Sequence, residues 1–306
     1  MIDIIMNGRL GNQLFLYAFA KKMSKMYDKE IYMNTFLMES EGFSNSLVNY
    51  NLSTDIVFYN KPLRTTKKGI QGSWIQNWML MRYIKDCIHK EPDEVAKYEI
   101  KNSALYKYLG MYINRDRYED INGIKKRKTI LAYGYFQSEK FFSDIREELL
   151  TEYQPIYPIL PHNIEKYKKI CNTESVCVSV RLGDDFQKND IYNVCTIAYF
   201  KKAISYMKEK LENPVFYIFS DKTELLREQF KDLDIEMIFE TGNDPDYEKL
   251  RIMSACKHFI LSNSSFSWWC QYLSQNPSKI VVAPSRWYNG DVPCDIYMKD
   301  WYLIGP

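Results

Sequence analysis

Apolar and polar positions follow two rhythms along this chain, and the second half is the more regular. From Ser175 onward, short β-branched or aromatic runs alternate with segments of helical spacing. Ser175–Val180, Val215–Phe219, Glu236–Phe239, His258–Leu261 and Ile280–Ala283 read as strands; Ile197–Leu211, Thr223–Phe230, Tyr247–Ala255 and Ser265–Leu273 read as helices. Such alternation predicts a parallel sheet covered on both faces, the α/β class. The first half opens the same way. Ile2–Met6 reads as a buried strand, Asn7–Gln13 as a polar glycine-containing loop and Leu14–Met26 as an amphipathic helix. Residues 35–130 mix short apolar runs with Lys, Arg and Tyr, and there Trp74–Cys87 is the stretch that reads as a helix. Ile130–Tyr133 follows as a strand, Gly134–Glu139 as a loop and Lys140–Tyr153 as a helix.

Pro155, Pro158 and Pro161 then crowd into Tyr153–Pro161, where neither helix nor strand can run through. This marks a linker between two domains, 1–155 and 156–306. The 306 residues suit that division, at roughly 150 residues per domain. Charge changes the picture by exclusion. Lys and Arg number 41 against 39 Asp and Glu, a net +2, which provides no global positive field for nucleic acid. No apolar run reaches the roughly 18 residues of a membrane span, and the N-terminus reads as a strand rather than a signal peptide. The seven cysteines are odd in number and form no CxxC, as expected of a reduced, cytoplasmic compartment. His89, His162 and His258 do not cluster, which argues against a histidine-based metal site. The 25 tyrosines suit stacking on carbohydrate or nucleobase, and equally the codon bias of an AT-rich genome.

In a parallel sheet, ligands sit beyond the carboxyl ends of the strands, and three polar loops fall there. Arg181, after the strand Ser175–Val180, either grips an anion through its guanidinium or pairs with Asp184 or Asp185. Asp221, after Val215–Phe219, either caps the next helix or accepts from a ribose or base. Asn263, Ser264 and Ser265 lead into a helix whose first N–H groups and dipole form an anion site, or serve as a plain serine cap. Arg181 and the Asn263–Ser265 turn thus point to a diphosphate-bearing ligand such as a nucleotide sugar. Neither GxxxxGK[ST] nor a GxGxxG after a strand is present. Asp244-Pro-Asp246 is a D-x-D of the kind that holds divalent ions, but it also stands where acidic residues and proline start helices. Lys125–Lys128 reads as a solvated loop, or as a patch for an anionic membrane surface or a charged acceptor.

Taken in order, five segments resemble the bacterial α-1,2-fucosyltransferases of glycosyltransferase family 11. Gly8-Arg-Leu-Gly-Asn-Gln-Leu-Phe-Leu-Tyr-Ala18 is similar to the opening motif G-x-L-G-N-Q-x-F-Q-Y-A, and Gly134-Tyr-Phe-Gln-Ser-Glu-Lys140 to a second family segment. Val180-Arg-Leu-Gly-Asp184 resembles H-V-R-R-G-D, Phe219-Ser-Asp221 resembles F-S-D-D, and Asn263-Ser-Ser-Phe-Ser-Trp-Trp269 resembles N-S-[ST]-F-S-W-W. The resemblance implies a GT-B-like architecture, two Rossmann-like α/β domains facing across a cleft. The N-terminal domain would serve the acceptor and the C-terminal domain the GDP-sugar. It implies inverting, metal-independent transfer of L-fucose from GDP-β-L-fucose to a galactose-type hydroxyl, with no cofactor. Arg181 and Asp184 would be catalytic, Asp184 orienting or deprotonating the acceptor. Arg181, Asp221, Asn263, Ser264 and Ser265 would bind the donor, and Gly11, Asn12 and Gln13 would line the acceptor side or shape the turn. The expected setting is cytoplasmic, at the inner face of the membrane, in bacterial surface polysaccharide synthesis. This sequence departs from the family at Ser179, Leu182 and Lys222, where the motifs carry His, Arg and Asp. The departures leave open another GDP-sugar, or a non-catalytic glycan- or nucleotide-binding protein on the same fold.

Overall fold

The computed structural model describes residues 1–53, 56–63, 72–182, 190–240 and 243–305. Contacts divide them into two compact units, Met1–Gln154 with Val292–Tyr297, and Pro155–Asp291 with Met298–Pro306. The second unit therefore lacks part of the continuous stretch 156–306. Val292–Tyr297 joins the first unit because Ile296 is buried there and the Asp295 carboxylate accepts from Tyr118 N at 2.8 Å and Lys140 Nζ at 2.5 Å. Burial acts to raise the Asp295 pKa, yet these two donors hold it below the usual value.

The first unit runs β1 (Ile2–Ile5), α1 (Leu10–Tyr27), β2 (Ile31–Asn34), α2 (Phe36–Ser40), β3 (Ile56–Tyr59), α3 (Trp74–Cys87), α4 (Pro92–Tyr108), β4 (Met111–Asn114), β5 (Ile130–Gly134) and α5 (Arg146–Glu152). Its five strands pair in the order β3-β2-β1-β5-β4, all parallel. Helix α1 starts at Leu10, four residues before the expected Leu14, so Gly11, Asn12 and Gln13 belong to its first turn and not to a loop. Gly8, at φ +68°, turns the chain just before it. The helix expected over Lys140–Tyr153 is interrupted. Phe142, fully buried, adopts φ −145° and ψ 17°, and only Arg146–Glu152 is α-helical.

The second unit continues with α6 (Ile164–Asn172), β6 (Glu174–Val180), α7 (Ile197–Lys210), β7 (Pro214–Ser220), α8 (Thr223–Phe230), β8 (Glu236–Glu240), α9 (Asp246–Ser254), β9 (His258–Ile260), α10 (Ser265–Leu273), β10 (Val281–Pro284) and β11 (Tyr302–Ile304). Its six strands are also all parallel, in the order β11-β10-β9-β6-β7-β8. Val176, Val178 and Val180 of β6 pack with Phe216 and Ile218 of β7 and with Tyr199, Phe200 and Ala203 of α7 in one core cluster. The continuous β-branched runs of β6 and β7 fit strands buried in a parallel sheet.

Candidate functional site

In the second unit the chain proceeds from β6 outward through β7 and β8, then returns to the other side of β6 with β9. The strand order thus reverses between β6 and β9, the place where open α/β sheets form their ligand crevice as the loops leaving the two strands part. Arg181 follows β6 at this edge; Ser262, Asn263 and Ser264 follow β9 and lead into α10.

The register pairs Val180 with Ser220, so Arg181 and Asp221 fall side by side as the strands end. Arg181 Nε lies 3.5 Å from Asp221 Oδ2, and Leu182 N donates to Asp221 Oδ1 at 3.0 Å. Asp221 is therefore not the cap of α8: Lys222 holds that position, with no side-chain cap bond. The aspartate instead stitches the end of β6 to the end of β7. Arg181 finds its carboxylate partner in Asp221; Gly183, Asp184 and Asp185 lie outside the described residues.

The Asn263 side chain is buried, and its Nδ2 donates to Tyr192 O at 2.9 Å and Trp287 O at 3.0 Å. It ties three loops of this edge together, while its Oδ1 is buried with no partner among the described residues. Asn289 reinforces the same frame through Asp190 O, Asn193 O and Ile191 O. Ser264 N-caps α10 by position but with no side-chain cap bond, and Ser264 and Ser265 are half-buried. The opening N–H groups of a helix have no intrahelical acceptor, so α10 presents positive potential to this crevice.

Sequence reasoning missed a chain of three serines. Ser179 Oγ lies 2.6 Å from Ser267 Oγ, which lies 3.0 Å from Ser262 Oγ. Ser179 stands where the family motif has His, and its hydroxyl joins the end of β6 to the first turn of α10. The departure from the motif was the only signal for it. The first carboxylate of Asp244-Pro-Asp246 is also engaged: His162 Nε2 lies 2.9 Å from Oδ1 and Asn163 Nδ2 donates to Oδ2 at 2.8 Å. Burial works to raise the Asp244 pKa, but the bonds from Asn163 and His162 outweigh it and hold the carboxyl low. Asp246 opens α9, at the favourable end of the helix dipole.

The first unit has its own reversal, between β1 and β5. Two of the motif segments meet there. Asn7 Nδ2 donates to Gly134 O at 3.3 Å, and Gln137 Nε2 donates to Asn12 Oδ1 at 2.8 Å. Asn12 is half-buried and reaches the surface of this edge. Gln13 does not. It is fully buried, with Nε2 donating to Gly8 O at 3.0 Å and Ser44 O at 2.9 Å, and Oε1 accepting from Ser46 N at 2.8 Å. Gly11 is buried as well. Of the three residues expected along the acceptor side, Gly11 and Gln13 therefore shape the turn and only Asn12 faces outward.

Beside this edge Glu99 of α4 is buried under the end of β4. It accepts from Tyr83 Oη at 2.6 Å and from Arg115 N at 3.1 Å and 3.3 Å. Burial pushes its pKa up to about 7, against the opposing pull of those donors. No sequence feature singled out Glu99; it sits in a helix of otherwise ordinary charge pattern.

Two doubly wound parallel α/β units, each with its loops gathered at a strand-order reversal, define the architecture of GT-B-like glycosyltransferases. The fold agrees with that of the NodZ alpha-1,6-fucosyltransferase crystal structure soaked with GDP-fucose, at a TM-score of 0.54 and 14% identity over 90% of this chain and 96% of that one. The family itself follows from sequence: the model for Glycosyl transferase family 11 matches residues 1–305, and the chain belongs to that family. It is 28% identical to an alpha-1,2-colitosyltransferase of Escherichia coli over 92% of this chain and 90% of that protein. It is also 28% identical to a galactoside 2-alpha-L-fucosyltransferase of Caenorhabditis elegans, over 64% of this chain and 58% of that protein.

Proposed function

We propose that this chain transfers L-fucose from GDP-β-L-fucose to a galactose-type hydroxyl of an oligosaccharide, forming an α-1,2 linkage with inversion and without a metal. The observation that carries the reading is that Arg181 and the Asn263–Ser265 turn leading into α10 follow the adjacent strands β6 and β9 at the strand-order reversal. The acceptor oxygen attacks the anomeric carbon as the bond from that carbon to the β-phosphate oxygen breaks. Negative charge grows on the departing diphosphate. Arg181 and the N-terminus of α10 take the part a cation would otherwise play, and this stabilisation strengthens as the bond breaks. Asp221 steadies the Arg181 guanidinium at its Nε, and its match to the family motif gives it a role toward the nucleoside. Asn263 holds the turn; the Ser264 N–H already donates to Ser262 O at 2.8 Å, so Ser264 offers its hydroxyl and Ser265 its N–H and hydroxyl. Asp184 takes the acceptor proton, and Asn12 contributes to the acceptor side. The acceptor is a surface-polysaccharide glycan built in the cytoplasm.

A second reading has a specific observation behind it. The alpha-1,2-colitosyltransferase matches nearly the whole chain, and Ser179 and Lys222 depart from the fucosyltransferase motifs beside the donor crevice. Colitose is fucose without its 3-hydroxyl, so GDP-colitose is the alternative donor. Purified protein should release GDP from GDP-fucose in EDTA when a galactoside is supplied, and GDP-colitose in the same assay ranks the donors. Turnover with GDP-colitose alone would replace the fucosyl reading. Activity that appears only with added Mn²⁺ would overturn the metal-free one.

A further inference from the structure

The outward face of α3 is unlike the solvated face of an ordinary helix, which is polar. Its inward face is fixed: Met79, Leu80, Tyr83 and Cys87 pack in a core cluster, and a Ser73–Gln76 capping box sets the start. Gln76 Nε2 reaches Leu109 O, Gly110 O and Thr129 O at 3.0 to 3.1 Å. On the opposite face Trp74 is 67% exposed and Trp78 46%, with Ile75 beside them and Ile88 just past the C-terminus. The Arg82 guanidinium lies 5.6 Å from the Trp78 ring centre and also pairs with Asp86 at 3.5 Å. The other four tryptophans, Trp268, Trp269, Trp287 and Trp301, are all buried.

The charge along this stripe is mainly basic: Arg82 and Lys85 are exposed, and Asp86 is paired with Arg82. The Gln76 bond to Thr129 O also brings the start of α3 beside the end of the Lys125–Lys128 run. There Lys125 Nζ lies 4.5 Å and the Arg127 guanidinium 5.4 Å from the exposed Tyr108 ring, and Lys125, Lys126 and Lys128 are exposed. A two-fold dimer through this face would set mainly basic charge against its own copy. An anionic bilayer is complementary to it: indole rings favour the membrane–water boundary and lysines the headgroups.

We propose that this face, Trp74 and Trp78 flanked by Lys125–Lys128, docks the protein on the surface of an anionic lipid bilayer. The test is flotation of the full chain with vesicles of three parts phosphatidylcholine to one part phosphatidylglycerol, and with phosphatidylcholine alone. The chain should float with the anionic vesicles only, and its tryptophan emission should shift to the blue, a change that reports Trp74 and Trp78 because the other indoles are already buried. Trp74→Ala with Trp78→Ala should weaken partitioning at least about tenfold, and Lys125→Gln, Lys126→Gln and Lys128→Gln about fivefold each. These positions are exposed, so an unchanged melting temperature confirms folding, and unchanged GDP affinity in the double tryptophan variant separates this surface from the nucleotide crevice. Absence of flotation with anionic vesicles would overturn the proposal, as would flotation indifferent to the tryptophan variant. A stable dimer dissolved by that variant would assign the face to a second copy instead.

Discussion

Arg181 is held by Asp221 at the carboxyl edge of the second unit's sheet, and two roles compete for it: a strand-end ion pair and a grip on the donor diphosphate. They differ in what its loss does. A partly exposed pair contributes little to stability, so Arg181→Ala should melt within a degree or two of the parent. As a diphosphate ligand it makes a charge-assisted contact of about 1.5–3 kcal/mol, and turnover should fall about tenfold or more. Near-normal turnover in the folded variant would reduce Arg181 to the ion pair. Glu99 makes the complementary case, a residue whose effect belongs to stability. Its folded pKa of about 7 lies above the unfolded 4.5, so the folded state holds the proton more tightly and the group's contribution is full below about 4.5. It is lost as pH rises toward 7 and beyond, an effect of about 3 kcal/mol. The groups facing it are Tyr83, Cys87, Arg115 and Asp116. Glu99→Gln keeps an acceptor for Tyr83 Oη and Arg115 N without the buried charge. The variant should therefore gain on the parent as pH is raised from 5 to 8 in paired thermal melts; parallel curves would place the carboxyl pKa near its ordinary value.

At the scale of elements, Ser175–Leu273 was readable because β6 and β7 are continuous apolar runs and helices of clear spacing follow, α8 and α10 beginning and ending where the pattern puts them, whereas α6 and the three-residue β11 were not read. The first half hid β2, β3 and β4 because each is short and set among Lys- and Tyr-rich stretches in which no period of two declares itself. Helix α4 was legible in principle, since Pro92 stands at its first position inside a Glu91–Glu94 capping box, a start signal that the Lys- and Tyr-rich surroundings obscured. The break at Phe142 and the return of Val292–Tyr297 were not legible at all, because both depend on what a side chain meets across the fold: a core pocket for Phe142, and Tyr118 and Lys140 for Asp295. Of the site, the residue types and their order were legible, but the partners were not: nothing in the spacing says that Gln13 is consumed by Gly8, Ser44 and Ser46 while Asn12 faces outward. The segment Gly134–Lys140 shows the same limit. Its glycine has φ +156°, and a Cβ there would stand 1.8 Å from Asn114 O. Backbone cannot yield as a side-chain end would, so Gly134→Ala must displace β5 from β4 and, with it, the Gln137–Asn12 bond. A loss of about 1–3 kcal/mol or more is expected, read by chemical denaturation; a variant as stable as the parent would show that the two strand ends separate freely.

For the whole molecule the question is which nucleotide the second unit was built to hold, and the answer does not require knowing the acceptor. Arg181 and the N-terminus of α10 would bind any nucleoside diphosphate, so the diphosphate alone cannot distinguish GDP from UDP. Discrimination has to come from polar groups that meet the base, because a base that leaves buried donors or acceptors unpaired is rejected far more strongly than one that merely fits loosely. The family's His and second Asp are Ser179 and Lys222 here, and the Ser179 hydroxyl already has Ser267 as its neighbour at 2.6 Å. If Asp221 and the remaining loop polar groups suffice, calorimetric titration in EDTA should give GDP binding at least about a hundredfold tighter than UDP, the equivalent of about 3 kcal/mol. Equal, weak binding of both would mean that the crevice recognises diphosphate without a base, and the guanine-nucleotide reading would fall while the anion site stood. Binding of neither in EDTA, restored by Mn²⁺, would move the charge-stabilising role from Arg181 and α10 to a cation. Tight GDP binding with Arg181→Ala losing affinity for GDP and UDP in the same proportion would place the arginine on the diphosphate, because a contact to the base would instead be lost for GDP alone.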